Sequence, residues 1–91
     1  MAILAKFDVT GMDAAGYDAV IRQLAEMGQG APDGRLYHVC YGDRQRLQVI
    51  DIYESAAQLD AFGAKLGPLL QSMGVTAQPE VSEVYNIIAG G

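Results

Sequence analysis

The sequence has little of the chemistry on which metal sites and disulfide-stabilised domains depend. It contains one cysteine, one histidine and no tryptophan. A lone cysteine forms no internal disulfide, and one histidine and one cysteine among scattered carboxylates do not supply a metal site. The glycines of "GQG" follow a predicted helix instead of preceding one, unlike those of a phosphate-binding loop. We therefore expect no metal and no cofactor.

Charged residues and long apolar runs are also scarce. Charged residues make up 19% of the chain, the net charge is −5 and no basic stripe occurs, so nucleic acids and anionic membranes are poor partners. No apolar run approaches the roughly 18 residues of a membrane span. The first residues, "MAILAKFDVTG", lack the basic and apolar regions of a signal peptide. We expect a soluble protein of the cytoplasm with no membrane partner.

Apolar residues, by contrast, are abundant, at 51% of 91 residues. A single domain over residues 1–91 is expected, and a domain of this size buries only about 60% of the surface that its unfolded chain exposes. A small chain with this much apolar surface commonly buries part of it against a copy of itself. The composition therefore predicts a homodimer.

Two periodicities divide the chain into six elements. Alternation from Ile3 to Val9 predicts a first strand, and "EVSEVYNII" a last one. Apolar residues three or four apart after Asp13 and after Ser55 predict two helices that these side chains cap. Pro68 cannot donate a helix hydrogen bond, so a kink or a restart is expected there. Between the helices, "RLYHVCY" and "RLQVIDIYE" flank the short "GDRQ" and predict a hairpin.

The order βαββαβ is that of the ferredoxin-like fold. In this fold the third strand lies between the first and the second, and two helices cover one face of an antiparallel sheet. The other face would carry a mixture of apolar and polar residues that a second subunit could cover. The predicted fold class is therefore α+β, with two such subunits forming a dimeric α/β barrel.

Three residues of the hairpin are candidates for chemistry. His38 and Cys40 share one strand face at about 6–7 Å, beyond hydrogen-bond reach, so we expect an inert cysteine. His38 is either a structural residue or a base for a phenol or hydroquinone, since an imidazole changes charge near neutral pH. Asp51 lies within "VIDIY", where an unpaired charge is costly. It is either a salt-bridge partner or a base or orienter of His38.

The register of the hairpin decides whether His38 shares a face with Asp51. A two-residue turn starting at Asp43 sets His38 opposite Val49, on that face. A three-residue turn starting at the same aspartate sets it opposite Ile50, on the other face.

A longer segment, "GRLYHVCYGDRQRLQVIDIYESAAQLDAFGAKLGPLL", resembles the small antibiotic-biosynthesis-monooxygenase-like proteins of the dimeric α/β-barrel superfamily. The likeness lies in a glycine, a strand with a histidine, a hairpin, and then "D-x-W-E-S" leading into a helix with an aromatic residue and a later proline. The closing "PEVSEVYNII" is similar as well. This resemblance implies a homodimer with a pocket between sheet and helices, and its active members include cofactor-independent oxygenases.

The resemblance also implies which residues line that pocket. Tyr53 stands where the family commonly has a tryptophan, and Val49 where some oxygenases carry an asparagine. Phe62 stands where quinol monooxygenases and haem degraders often carry a histidine. These departures argue against haem ligation and weaken the prediction of a quinol substrate.

Two functions are therefore predicted. The first is a cofactor-independent monooxygenase of an aromatic or polyketide-like molecule, with His38, Asp51 and Tyr53 as catalytic residues. Its ligand site would comprise Tyr53, Phe62 and Val49. The alternative is a non-catalytic dimeric barrel that binds a small ligand or is structural. Ligand sites usually have a volume of at least about 300 Å³. Absence of such a cavity beside Tyr53 would therefore argue against the enzyme, and a cavity with Asp51 or His38 at its wall would favour it.

Overall fold

Six elements follow one another in the predicted order βαββαβ. The computed structural model describes residues 1–90, so the last residue of the single domain expected over 1–91 lies outside it. The elements are β1 (Ile3–Thr10), α1 (Ala14–Glu26), β2 (Arg35–Asp43), β3 (Arg46–Tyr53), α2 (Ala56–Ser72) and β4 (Thr76–Glu83).

The four strands form one antiparallel sheet in the order β2-β3-β1-β4. As predicted, β3 lies between β1 and β2. Apolar residues of β1 pack against both helices because alternate strand positions face the same way. The core that results combines strand and helix residues: Ile3, Ala5, Phe7, Val9, Val20, Leu24, Leu59, Phe62 and Leu70. The ferredoxin-like α+β fold is thus confirmed.

Each helix begins at the predicted cap. The Asp13 carboxylate accepts a hydrogen bond from the Gly16 N–H at 2.8 Å, and the Ser55 hydroxyl oxygen accepts one from the Gln58 N–H at 3.3 Å. Both caps satisfy an N–H group that the first helical turn leaves without a partner. They therefore fix where α1 and α2 start relative to the strands before them.

The second helix is unbroken at Pro68, where a kink or a restart was expected. The helix spans Ala56–Ser72 as one element, with the proline exposed inside it. Proline removes one hydrogen bond of the ladder, but Leu66, Leu69 and Leu70 on either side pack against the core. That packing holds the helix together across the missing bond.

The last strand begins and ends earlier than the alternation of "EVSEVYNII" indicates. It spans Thr76–Glu83, and residues 84–90 have no regular secondary structure. The partner strand sets the limit, since β1 starts at Ile3, which pairs with Glu83. Pro79 lies within β4, and an edge strand accepts a proline because one side of it has no hydrogen-bonding neighbour.

The sheet has two unlike faces. The covered face lies under the helices and includes the inward residues of β1 and β3 together with His38. The open face lies on the other side and has no covering element among residues 1–90. It carries an apolar group formed by Leu4, Tyr37, Val39, Ile50 and Ile52, which are exposed or half-buried.

Candidate active site

The β2–β3 hairpin sets His38 directly opposite Asp51. Its two-residue turn consists of Arg44 and Gln45, with Asp43 paired to Arg46. The Asp43 carboxylate accepts a hydrogen bond from the Gln45 N–H at 2.8 Å and so stabilises this turn. His38 therefore pairs with Asp51, whereas the two turns considered from the sequence would pair it with Val49 or Ile50. His38 nevertheless shares the covered face with Asp51, because a shift of two residues preserves the side of a strand.

A short hydrogen bond joins these two residues. His38 Nδ1 lies 2.5 Å from Asp51 Oδ1, and the aspartate is 3% exposed. A carboxylate only accepts hydrogen bonds, so we assign the imidazole proton to Nδ1. The other ring nitrogen, Nε2, then carries the lone pair. Asp51 therefore holds the imidazole of His38 in one orientation and one tautomer.

A third residue, Tyr17 of α1, completes a chain of three side chains. Its hydroxyl lies 2.6 Å from His38 Nε2 and donates to it. The two rings are nearly parallel, at 10°, with centroids 6.0 Å apart. That distance suits a hydrogen bond in the plane of the rings better than a face-to-face stack. The order of the chain is therefore Asp51, His38, Tyr17.

The environment of Tyr17 keeps its phenol protonated near neutral pH. Burial raises the pKa of Tyr17, and the neighbouring Cys40 and Asp51 raise it further, while Arg35 lowers it. In the sequence, Tyr17 is one of the residues spaced three or four apart after Asp13 that form the apolar stripe of the first predicted helix. The residue type carried a signal, since it alone in that stripe has a polar tip. Contact with His38, however, depends on how α1 packs over β2.

Cys40 is half-buried and packs against the core. Burial raises the pKa of the Cys40 thiol above its usual value. The reactive thiolate is therefore scarce at neutral pH, which supports the expectation of an inert cysteine.

Beside the hydrogen-bonded side chains of Asp51, His38 and Tyr17 lies a small apolar cavity of about 50 Å³. Tyr17, His38 and Asp51 line it, together with the predicted ligand-site residues Val49 and Phe62. An adjoining cleft of about 340 Å³ lies between α2 and the β1–β4 edge of the sheet. The two spaces share five lining residues: Phe7, Phe62, Leu66, Leu70 and Ala77.

Tyr53 lies in the core and lines neither of these spaces. It is 0% exposed, and its hydroxyl has no hydrogen-bond partner among residues 1–90. Burial raises its pKa far above the usual range, and Asp51 adds to this effect. Its ring packs at 32° against Phe62, with centroids 6.2 Å apart. The structure therefore brings His38, Asp51, Val49 and Phe62 to one cavity and leaves Tyr53 out of its lining.

One cation borders the cavity. Arg35 of β2 lines it, and its guanidinium donates a hydrogen bond to the Gly30 carbonyl at 3.0 Å. No indication of this residue came from the sequence. Its position depends on a β-bulge between Arg35 and Tyr37, which shifts the end of β2 by one residue.

The described residues contain neither a metal-binding cluster nor a membrane-spanning helix. Within 1–90, no group of three or more His, Cys, Asp or Glu side chains is arranged to hold a metal ion. Neither α1 nor α2 combines the length and apolar character needed to cross a bilayer.

Comparisons with known proteins give likenesses in structure only. No family model matches the chain, and no curated protein matches it. A Deinococcus radiodurans protein assigned as a candidate antibiotic biosynthesis monooxygenase has a TM-score of 0.63 and 14% identity, over 100% of this chain and 99% of that one. SnoaB, a cofactor-independent oxygenase from Streptomyces nogalater, has a TM-score of 0.58 and 14% identity, over 98% and 96%.

A third structure, NE2512 from Nitrosomonas europaea, is a protein of unknown function. It has a TM-score of 0.58 and 11% identity, over 98% of this chain and 94% of that one. The resemblance found in the sequence is confirmed at the level of the fold. This chain has the fold of antibiotic-biosynthesis-monooxygenase-like proteins, and at 11–14% identity the likeness concerns the fold alone.

Proposed function

We propose that this chain is a small cofactor-independent monooxygenase of an aromatic or polyketide-like molecule. One observation carries the proposal: the buried Asp51 carboxylate holds His38 Nδ1 at 2.5 Å, at the wall of an apolar cavity. A lone structural histidine needs no buried carboxylate behind it, whereas a general base gains from one. The likeness of the fold to SnoaB supports the same reaction class.

The first step assigned to the site is proton removal. His38 Nε2 takes a proton from an acidic phenol, hydroquinone or activated methylene group, and the electron pair stays on the substrate. The Asp51 carboxylate stabilises the imidazolium that forms. The cavity lining is mostly apolar, and exclusion of water strengthens this electrostatic interaction.

Dioxygen then oxidises the electron-rich anion. For an anthrone-like methylene carbon, two hydrogen atoms leave and one oxygen atom enters as a carbonyl group. The second oxygen atom leaves with those hydrogens as water, so the step needs no external reductant. The protein contributes the base, the position of the substrate and a dry site.

The remaining predicted site residues have supporting parts. Val49 and Phe62 provide apolar walls, and Arg35 faces the same cavity with a positive charge that favours the substrate anion. Tyr53 was predicted to be catalytic. With its hydroxyl buried away from the cavity, we propose that it supports the ring of Phe62.

Oxygen uptake with an anthrone or a hydroquinone tests the proposal. We expect His38→Ala to lower the rate at least about 100-fold, and Asp51→Asn about tenfold because it still occupies the same space. Glu26→Gln, at the exposed end of α1, is the control for loss of one carboxylate and should match the wild type. A wild-type rate no greater than that of buffer would contradict an oxygenase, and full activity in His38→Ala would contradict His38 as its base.

A second copy of the chain is proposed as the cover of the open face. Val39 is 50% exposed and Tyr37 is 44% exposed there, and they adjoin Ile50 and Ile52 on the neighbouring strand. Exposed contiguous apolar surface of this kind is commonly buried between subunits. The homodimer would form a barrel from two open faces, and the cytoplasm remains the compartment that the sequence predicts.

One observation favours the non-catalytic alternative. The cavity at His38 is about 50 Å³, far below the roughly 300 Å³ of a usual ligand site. The larger cleft of about 340 Å³ is not lined by His38 or Asp51. A binding protein would use that cleft alone. It would bind an apolar ligand and leave oxygen uptake at the level of buffer.

A further inference from the structure

His38 Nε2, the proposed base, already accepts a hydrogen bond from a side chain of the protein itself. The Tyr17 hydroxyl lies 2.6 Å from His38 Nε2, the atom that would take a proton from a substrate. Asp51 holds the opposite nitrogen, so the ring has no second lone pair to offer. A substrate hydroxyl can reach this base only at the place where the Tyr17 hydroxyl lies.

Volume gives the same result independently. The space beside His38 is about 50 Å³, whereas an apolar cavity known to bind benzene has about 150 Å³. The phenol ring of Tyr17 lines this space and is only partly buried. Movement of that ring would add the volume of one aromatic ring next to the base.

We infer that Tyr17 occupies the subsite of a ligand's phenol ring, and that a hydroxyaromatic ligand binds by replacing the Tyr17 hydroxyl on His38 Nε2. This ligand site rests on the proposed function and names the chemical class and the position of its substrate. The protein's own phenol illustrates the complementarity: a flat ring nearly parallel to the imidazole and a hydroxyl 2.6 Å from Nε2.

The surroundings of Tyr17 suit such an exchange. It lies in the first turn of α1 and is only partly buried, so displacing it breaks one hydrogen bond and part of the ring's packing against the core. The α1 start remains anchored without it, by the Asp13 cap and by a hydrogen bond from the Ala14 N–H to the Arg44 carbonyl at 2.7 Å. Burial raises the pKa of a phenol at this position, as it does for Tyr17, and Arg35 opposes that shift only in part. A bound phenol would therefore give up its proton only by direct transfer to His38 Nε2.

The probe for the test is 4-methylphenol, which is the tyrosine side chain as a free molecule. Its dissociation constant is measured by calorimetry for the wild type, Tyr17→Phe and Tyr17→Ala. We expect binding to strengthen in that order, with at least a tenfold gain from wild type to Tyr17→Ala. Tyr17→Phe still fills the subsite but no longer competes for Nε2, so its affinity should lie between the other two.

Two controls locate the binding. Toluene has the same ring without the hydroxyl, and it should bind Tyr17→Ala at least tenfold more weakly than 4-methylphenol does. Tyr85→Phe removes a phenol from the exposed C-terminal segment and should bind as the wild type. Nuclear Overhauser contacts between the probe and the ring protons of His38 should appear in Tyr17→Ala. If that variant is unfolded, Tyr17→Phe alone should still bind more tightly than the wild type.

Equal affinity in the wild type, Tyr17→Phe and Tyr17→Ala would overturn the inference, as would contacts to the α2 cleft instead of His38. Two further outcomes distinguish a failure of the proposed oxygenase reaction from a failure of the proposed ligand site. Tighter 4-methylphenol binding without oxygen uptake would leave the ligand site in place and remove the reaction. Oxygen uptake with unchanged KM in Tyr17→Phe would retain the reaction and remove the ligand site.

Discussion

The covered face of the sheet contains a buried charged residue, whereas the open face exposes large apolar residues to water. Asp51, 3% exposed, lies on the covered face with His38 beside it. On the open face, Val39 and Tyr37 are 50% and 44% exposed. Buried charge and exposed apolar surface both cost free energy. Proteins retain such features chiefly where a site or a partner compensates for them.

The two faces also differ in the kind of ion pair that they hold. The His38–Asp51 pair lies 2.5 Å apart on the covered face. On the open face Arg46 lies 3.5 Å from Asp8, with their side chains 67% and 58% exposed. Water screens the second pair but reaches little of the first. Only the covered pair is therefore held in one defined geometry.

The largest expected effect on stability comes from breaking the covered pair. His38→Ala leaves the Asp51 charge buried without a partner and should lower the free energy of unfolding by about 2–3 kcal/mol. Breaking a fully buried ion pair costs about 3–5 kcal/mol, and the loss is smaller here because the His38 side chain is 22% exposed. Arg46→Ala breaks the exposed pair and should cost less than about 1 kcal/mol. Urea unfolding measures both, and equal costs would mean that the faces do not differ in this way.

Next in size is the effect of a charge on the open face. Val39→Asp should raise the dissociation constant of the proposed dimer roughly 100-fold, because the carboxylate would be buried in the interface. Ile88→Asp, in the exposed C-terminal segment, is the matched control. Sedimentation equilibrium should show monomers for the first and dimers for the second. A monomeric wild type at high concentration would remove the proposed dimer.

The covered face also allows a comparison of two tyrosine hydroxyls, one with a hydrogen-bond partner and one without a partner among residues 1–90. Tyr17→Phe removes a hydroxyl that donates to His38 and should cost about 1 kcal/mol of stability. Tyr53→Phe removes a buried hydroxyl that has no partner in the described part of the chain, so stability should stay unchanged or rise by up to about 1 kcal/mol. Thermal unfolding checks both. A loss in Tyr53→Phe as large as in Tyr17→Phe would reveal a partner for that hydroxyl.

The smallest effect is expected from alkaline pH. Burial raises the pKa of both Tyr17 and Tyr53 above the ordinary 10.0, so the unfolded chain loses these protons first. Their contribution to stability is therefore complete below about pH 10 and is lost as the pH rises towards the folded pKa values. Urea midpoints at increasing pH should fall above about pH 10. The fall should be shallower in the double variant Tyr17→Phe/Tyr53→Phe.

The site was predictable only in part. Alternation within "VIDIY" singled out Asp51, and the single histidine was an evident candidate. Their direct contact depended on the hairpin turn at Arg44 and Gln45, and "GDRQ" is compatible with several turns. The role of Tyr17 was not predicted, because residues 17 and 38 meet only after α1 has packed on the sheet.

The order of strands and helices, their caps and the apolar faces came from local periodicity, which the backbone geometry of each element imposes on neighbouring residues. Long-range packing decided everything that joins distant parts of the chain. It set the end of the last strand by the length of its partner β1, and it kept α2 continuous through Pro68. It also brought Tyr17, His38 and Asp51 together at one small cavity. Contacts between residues far apart in sequence arise from the free energy of the whole assembled core, which no local pattern encodes.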